Sequence, residues 1–253
     1  MAKATLQTVD RALQLLEILA EHPEGMQPKE FESILELNKI TVHRLLATLE
    51  NRGFVERQGS NYKIGLKLVE LSSMKLNNIE LKTEAAPYLR KLVNLLGLPV
   101  QMAILEGNEA VFIEKIESIS TFHMYSQIGK RIPLYASGVG KVLLSQKTDE
   151  KILSDLSKVT FQAFTHRTLT SPQSVLAEIQ TARKQGYAID NEEHEEGIFC
   201  IAAPIYDYRG QIIAAISVGG KEPEFIVDKK ADHFTLIKET ANEISKRLGY
   251  TKG

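Results

Sequence analysis

Several things are scarce in this chain, and each scarcity excludes something. One cysteine, Cys200, stands in 253 residues, so an intramolecular disulfide framework is excluded. That agrees with a reducing compartment. No stretch reaches the ~18 uninterrupted apolar residues that a membrane-spanning helix needs. The first residues lack a basic segment followed by an apolar one, the pattern of a secretory signal. A cytoplasmic protein is therefore the expectation, with no membrane partner. Excess charge of one sign is also missing: the formal net charge is −1. Bulk charge thus gives no sign of a nucleic-acid partner. There is no Walker loop, and Gly138 and Gly140 do not complete a dinucleotide-binding G-x-G-x-x-G. Tryptophan is absent as well, which decides nothing.

What remains is an ordinary globular composition, 43% hydrophobic and 25% charged. At roughly 150 residues per domain, this length allows about two domains. The even balance hides a local one. Residues 1–36 hold three basic side chains against seven acidic ones, while residues 37–67 hold six basic against two acidic. A polyanion would prefer the second stretch.

The first third has the rhythm of three helices and a hairpin. Val9, Ala12, Leu13, Leu16, Leu19 and Ala20 recur at helical spacing over residues 7–20. Pro23 and Gly25 end that helix. Pro28 suits the first turn of a second, whose apolar face is Phe31, Ile34 and Leu35. Asn38 is a good N-cap for a third helix. There Val42, Leu45, Leu46 and Leu49 form a buried stripe, and Gly53 stops the helix. Strands Phe54 to Arg57 and Tyr62 to Ile64 flank a Gln58-Gly59-Ser60-Asn61 turn. This order makes a winged helix. Lys39, Thr41, His43, Arg44 and Thr48 lie off the stripe of the third helix, where a recognition helix meets base edges. Asn38, Arg57 and Lys63 complete the candidate DNA-contacting set. The same pattern also fits a protein-interaction module with solvated surface charges.

Beyond Gly65 the pattern changes. Leu66, Leu68, Val69, Leu71, Met74 and Leu76 read as a linker helix, and Leu81 to Leu96 as another amphipathic helix. Strands are expected at Val100 to Leu105, Ala110 to Ile116 and Thr121 to Ser126, followed by a helix at Ser137 to Gln146. A further helix, Pro172 to Gln185, is ended by Gly186. Then come a short strand at Tyr187 to Ile189, a hairpin of Phe199 to Tyr206 with Gln211 to Val218, and a closing helix from Phe225 to Leu248. Helices flanking a mainly antiparallel sheet place the chain in the α+β class. The expected divisions are residues 5–67, a linker at 68–80, and 81–251.

The run Thr41-Val42-His43-Arg44-Leu45-Leu46-Ala47-Thr48-Leu49-Glu50-Asn51-Arg52-Gly53-Phe54-Val55 resembles the recognition-helix signature of IclR-family regulators. Thr8-Val9-Asp10-Arg11-Ala12-Leu13 before it and Tyr62-Lys63-Ile64-Gly65-Leu66-Lys67-Leu68 after it resemble the same family. So do Ile132 to Leu144, Gly186 to Glu193 and Glu196 to Ile205, so the resemblance covers nearly the whole chain. Two departures stand out. Glu36 and Ile40 occupy places where the family often has Gly and Ser.

The resemblance implies a winged helix-turn-helix followed by a GAF-like effector-binding domain. It also implies a homo-oligomeric transcription factor, dimer or tetramer, on double-stranded operator DNA, with a small organic acid as effector. Repression is the expected output, and no cofactor is expected. Carried over by motif, the effector-contacting positions are Gly138, Val139, Asp190, Cys200, Ser217 and Gly219. Gly138 and Gly140 would let a ligand approach backbone N–H groups at a helix start. Asp190 would repel a carboxylate and so is expected to accept from a ligand hydroxyl. Met124 to Arg131 leading into Pro133-Leu134-Tyr135 resembles the branch that regulates 2-keto-3-deoxygluconate and pectin catabolism, with His123 and Tyr125 as extra pocket groups. Two other chemistries compete. Cys200, His194 and Asp190 could form a nucleophilic set or a metal site. Against both, Cys200 sits among Phe199, Ile201 and Ala202, where a free cysteine acts as a small hydrophobe. One Cys and one nearby His also lack zinc-site spacing. A sensor or adaptor without DNA binding is the remaining alternative.

Overall fold

The computed structural model describes residues 6–71, 80–118, 126–221 and 230–251. The chain divides into two units, Met1–Ile79 and Glu80–Gly253.

In the first unit α1 is Gln7–Ala20, α2 is Pro28–Ile34 and α3 is Lys39–Asn51. Strands β1 (Val55–Gln58) and β2 (Asn61–Ile64) form an antiparallel hairpin. Residues 67–71 are again helical. Local chemistry sets the boundaries. Glu30 Oε2 accepts from Gln27 N at 2.6 Å and closes the first turn of α2 over Pro28. Asn38 caps α3 by accepting the Thr41 N–H at 2.9 Å. Gly53 (φ +73°) and Gly59 (φ +65°) take left-handed backbone after α3 and in the hairpin turn. The core is Leu15, Leu19, Met26, Phe31, Leu37, Val42, Leu45, Leu46, Val55 and Tyr62.

Two expected faces need correction. On α1, Val9, Leu13 and Ala20 are exposed, and the fully buried side chains are Leu15 and Leu19. Of the expected stripe Leu19 is in the core and Ala12 and Leu16 pack against it, so periodicity was right for part of the face and missed Leu15. On α2, Phe31 is buried while Ile34 is exposed, because a two-turn helix buries only one anchor.

The second unit is a six-stranded antiparallel sheet between helices. In sequence order the elements are α4 (Glu80–Leu96), β3 (Val100–Glu106), β4 (Glu109–Ile116), β5 (Arg131–Pro133), a 3₁₀ turn (Leu134–Ala136), α5 (Gly138–Leu144), α6 (Asp149–Leu156), α7 (Pro172–Gln185), β6 (Ala188–Asn191), β7 (Ile198–Tyr206), β8 (Ile212–Lys221) and α8 (Lys230–Arg247). The strand order is β5-β4-β3-β8-β7-β6. Helix α5 packs on β7 and β8 and against α7, and α8 packs on β7 and α4. Among the described residues no helix is long and apolar enough to cross a membrane.

The expected strand at Thr121 to Ser126 lies outside the described residues, apart from Ser126, which is not in a strand. The neighbour of β4 is Arg131–Pro133 instead. Helix α6, capped by Thr148, has no counterpart in the expected elements. The linker helix is described only at residues 67–71, and His123 and Tyr125 lie outside the described residues.

Small residues let α5 sit close to its neighbours. A Cβ on Gly140 would stand 2.3 Å from the Leu134 carbonyl oxygen, and one on Gly138 would stand 3.3 Å from the Ala202 Cβ. The expectation that both glycines admit a ligand therefore needs correction at one of them. At Gly140 the space is filled by the protein's own backbone, so close packing is what demands glycine there.

Candidate functional site

Two surfaces hold the candidate residues, one in each unit. The first is the outer face of α3. Val42, Leu45 and Leu46 face the core, which turns Ile40, His43, Arg44, Ala47, Thr48 and Asn51 to solvent. These positions recur at the i, i+3, i+4 spacing of a single helix face. Lys39 is exposed beside them.

Several candidates here already have internal work. Oδ1 of Asn38 accepts from both Thr41 N and Thr41 Oγ1 (3.0 Å). Thr48 Oγ1 donates to the Arg44 carbonyl at 2.7 Å, which spends its proton on the helix. Arg57 Nε donates to the Gly59 carbonyl (3.0 Å), and its guanidinium lies over the Tyr62 ring. The Lys63 stem would collide with any side chain placed on Gly25, so it covers the end of the α1–α2 connection. Lys39, His43 and Arg44 form no ion pair among the described residues. Just before α3, Glu36 takes a left-handed φ of +52°. The turn thus has the backbone that favours glycine, with a charged residue in it.

The second surface is a cavity between α5 and the sheet, enclosing about 550 Å³ of empty space, part of it open to solvent. Register explains its walls. Asp190 pairs with Cys200 and Cys200 with Gly219, while Gln101 pairs with Ser217. Paired residues share a face of the sheet. Of the expected effector-contacting set, Gly138, Val139, Asp190, Cys200 and Ser217 line the cavity. Gly219 lies in the Asp190–Cys200 row but is not part of the wall.

Sequence reasoning missed Gln101, Ser126, Lys130 and Ser137, and weighed His194 only for catalysis or metal binding; all five line the cavity with Glu195. Ser217 Oγ donates to Gln101 Oε1 (3.1 Å), and Gln101 Nε2 donates to Ser126 Oγ (2.9 Å). Ser137 Oγ accepts from Gly140 N at 3.2 Å and so caps α5. Among the described lining residues Lys130 is the one Lys or Arg. Burial holds its ammonium below the usual lysine range, against the pull of Glu195. The polar residues on β3 gave one signal: Gln101 interrupts an otherwise apolar strand start.

Asp190 is held in a buried charge network. Its Oδ1 accepts from Glu193 N (2.8 Å), and Glu193 Oε1 pairs with Lys141 Nζ at 2.6 Å. Lys141 is 0% exposed, and Glu193 Oε2 has no partner among the described residues. Thr165 and Thr168 hydroxyls donate to the carbonyls of Glu192 and Glu193, both at 2.6 Å, and fix the loop. Desolvation, then the neighbouring Glu193 charge, pushes the Asp190 carboxyl from 3.8 up to about 7. Near neutral pH this group can thus donate as well as accept. Burial and the surrounding carboxylates raise the Cys200 thiol well above its usual value. A thiol held neutral is a poor nucleophile. Among the described residues no three His, Cys, Asp or Glu side chains gather as metal ligands.

Residues 8–59 match the IclR helix-turn-helix domain, and residues 73–246 match the bacterial transcriptional regulator IclR C-terminal domain. The chain belongs to the IclR family. The transcriptional repressor AllR of Escherichia coli is 34% identical over 98% of this chain and 93% of its own length. The transcriptional regulator KdgR of Escherichia coli is 33% identical over 97% and 94%. The solved IclR of Thermotoga maritima superposes with a TM-score of 0.84 at 30% identity, over 97% of this chain and 100% of that one. As a member of the IclR family, the chain is a DNA-binding transcriptional regulator, not an enzyme, with an N-terminal DNA-binding domain and a C-terminal effector-binding domain of α+β architecture.

Proposed function

We propose that this regulator is a cytoplasmic repressor of catabolic genes, released from or tightened on its operator by a small hydroxylated organic acid. A keto sugar acid such as 2-keto-3-deoxygluconate fits best. The observation that carries this reading is the cavity under α5. It combines one cation, Lys130, a carboxyl that holds a proton near neutrality, Asp190, and a Ser217–Gln101–Ser126 hydroxyl–amide chain. Lys130 and protonated Asp190 suit a carboxylate. The hydroxyl–amide chain suits the hydroxyls of a sugar acid. The name of AllR, a transcriptional repressor, supports this output.

On DNA the chain acts as a symmetric homo-oligomer, a dimer or a dimer of dimers. One recognition helix reads too few base pairs to find a genomic site. Exposed Leu66, Val69 and Leu71 at the start of the segment after the wing support a contact with a second copy. Arg44, His43, Lys39 and Thr41 on α3 face the major groove, with Asn38, Thr48, Arg57 and Lys63 around them.

The test is a thermal-shift screen of sugar acids and keto acids on the full chain, 2-keto-3-deoxygluconate among them. A ligand that binds only the folded state raises the midpoint. A hydroxylated keto acid should do so, and its addition should change operator retention. If no acid shifts the midpoint while operator binding is intact, the effector reading falls and the DNA-binding role stands.

A further inference from the structure

Ile40 is a large aliphatic side chain that the fold leaves 72% exposed on α3. It contributes nothing to the core, whose α3 members are Val42, Leu45 and Leu46. Its neighbours along the same face are His43, Arg44 and Ala47, with Lys39 adjacent in sequence. Ile40 therefore stands as an apolar point on the first turn of α3, inside a ring of side chains that suit a polyanion. Recognition helices meet base edges with their N-terminal residues. In the major groove the one apolar group among the base edges is the C5 methyl of thymine. Ala47, two turns further on, is small and exposed on the same face.

We propose that Ile40 reads a thymine methyl in each operator half-site and is a specificity-determining residue of this regulator. The inference rests on the groove-facing assignment of α3 made above. An aliphatic side chain cannot hydrogen-bond, so its preference for thymine over the other bases comes from burying a methyl against a branched side chain. Its signature is discrimination between thymine and uracil, which have identical hydrogen-bonding edges and differ by that methyl alone. Arg44 and His43, which read through hydrogen bonds and charge, would not produce that signature.

The experiment selects operator duplexes from a random library with the full-length wild-type protein. Each thymine of the selected half-site is then replaced singly by deoxyuridine, and binding is titrated at fixed salt. One thymine per half-site should show a loss of about 3–5-fold, the scale of one buried methyl. That loss should shrink to within about 1.5-fold in Ile40→Ala and persist in Ile40→Val. Because Ile40 is exposed, both variants should keep the wild-type melting midpoint. If no thymine is uracil-sensitive, or if Ile40→Ala keeps the sensitivity, the proposal is overturned. Arg44→Ala separates the two levels of the argument. If it binds as well as wild type, the groove-facing assignment itself fails and takes this inference with it. If it binds weakly while uracil has no effect, only the reading of Ile40 fails.

Discussion

Replacing Asp190 by Asn should remove part of the pH dependence of stability. The Asp190 carboxyl titrates near 7 in the folded protein and at its ordinary 3.8 when unfolded. Between those values the folded chain holds a proton that the unfolded chain has lost, so stability falls as pH rises through this window. Below 3.8 the group exerts no penalty, and above 7 it exerts its full one. A shift of about three units at 1.36 kcal/mol each sets an upper bound of roughly 4 kcal/mol. The Coulombic share from Glu193 is split between two coupled carboxyls, so about 2–4 kcal/mol is the expected total. A little over a third of it accrues below pH 5. The Asp190→Asn side chain would keep the acceptor that receives the Glu193 N–H and would carry no charge. The stability of the variant relative to wild type should therefore grow by about 1–3 kcal/mol between pH 5 and pH 8. Calorimetric scans of both full-length proteins across that range give the measurement. The variant-minus-wild-type difference cancels every histidine common to the two. A unit of this size gains about 2–4 °C per kcal/mol, so the gap between the midpoints should widen by several degrees on going to pH 8. A difference that stays flat with pH, or shrinks as pH rises, would show that Asp190 is ionised throughout and refute the reasoning.

Further outcomes follow from the same structure. Glu36→Gly should stabilise the first unit by up to about 1 kcal/mol by urea unfolding, because relief of a left-handed residue at φ +52° slightly outweighs the added unfolded-state entropy; it should also tighten operator binding by removing a negative charge beside α3. Gly140→Ala should cost about 3 kcal/mol or more, or abolish soluble expression, since the Leu134 backbone cannot retreat from a Cβ at 2.3 Å; a wild-type melting midpoint would contradict this. Arg44→Ala should weaken operator affinity by roughly 1–3 kcal/mol in a salt-controlled titration, with unchanged circular dichroism. Ser217→Ala should cost an acid effector roughly 0.5–1.5 kcal/mol by calorimetry and leave ligand-free operator binding unchanged; equal loss of both would mean Ser217 serves the fold.

The elements that local chemistry controls were legible from the residues alone. Asn38 as a cap, Pro28 in a first turn, Gly53 and Gly186 as stops, and the β7–β8 hairpin were all legible because capping and turn preferences depend on a few neighbouring residues. The polar face of α3 was legible for the same reason, since helical spacing fixes which side chains lie opposite Val42, Leu45 and Leu46. Tertiary structure decided the rest. It chose Leu15 over Val9 and Leu13 on a helix with two apolar faces, because only packing partners distinguish them. It brought Gln101, Ser126 and Lys130 to the cavity that holds Asp190 and Ser217, residues up to 116 positions apart that only strand register makes neighbours. It also set the proton on Asp190, because burial beside Glu193 and Lys141 is a property of the assembled loop and carries no signature in the residue itself.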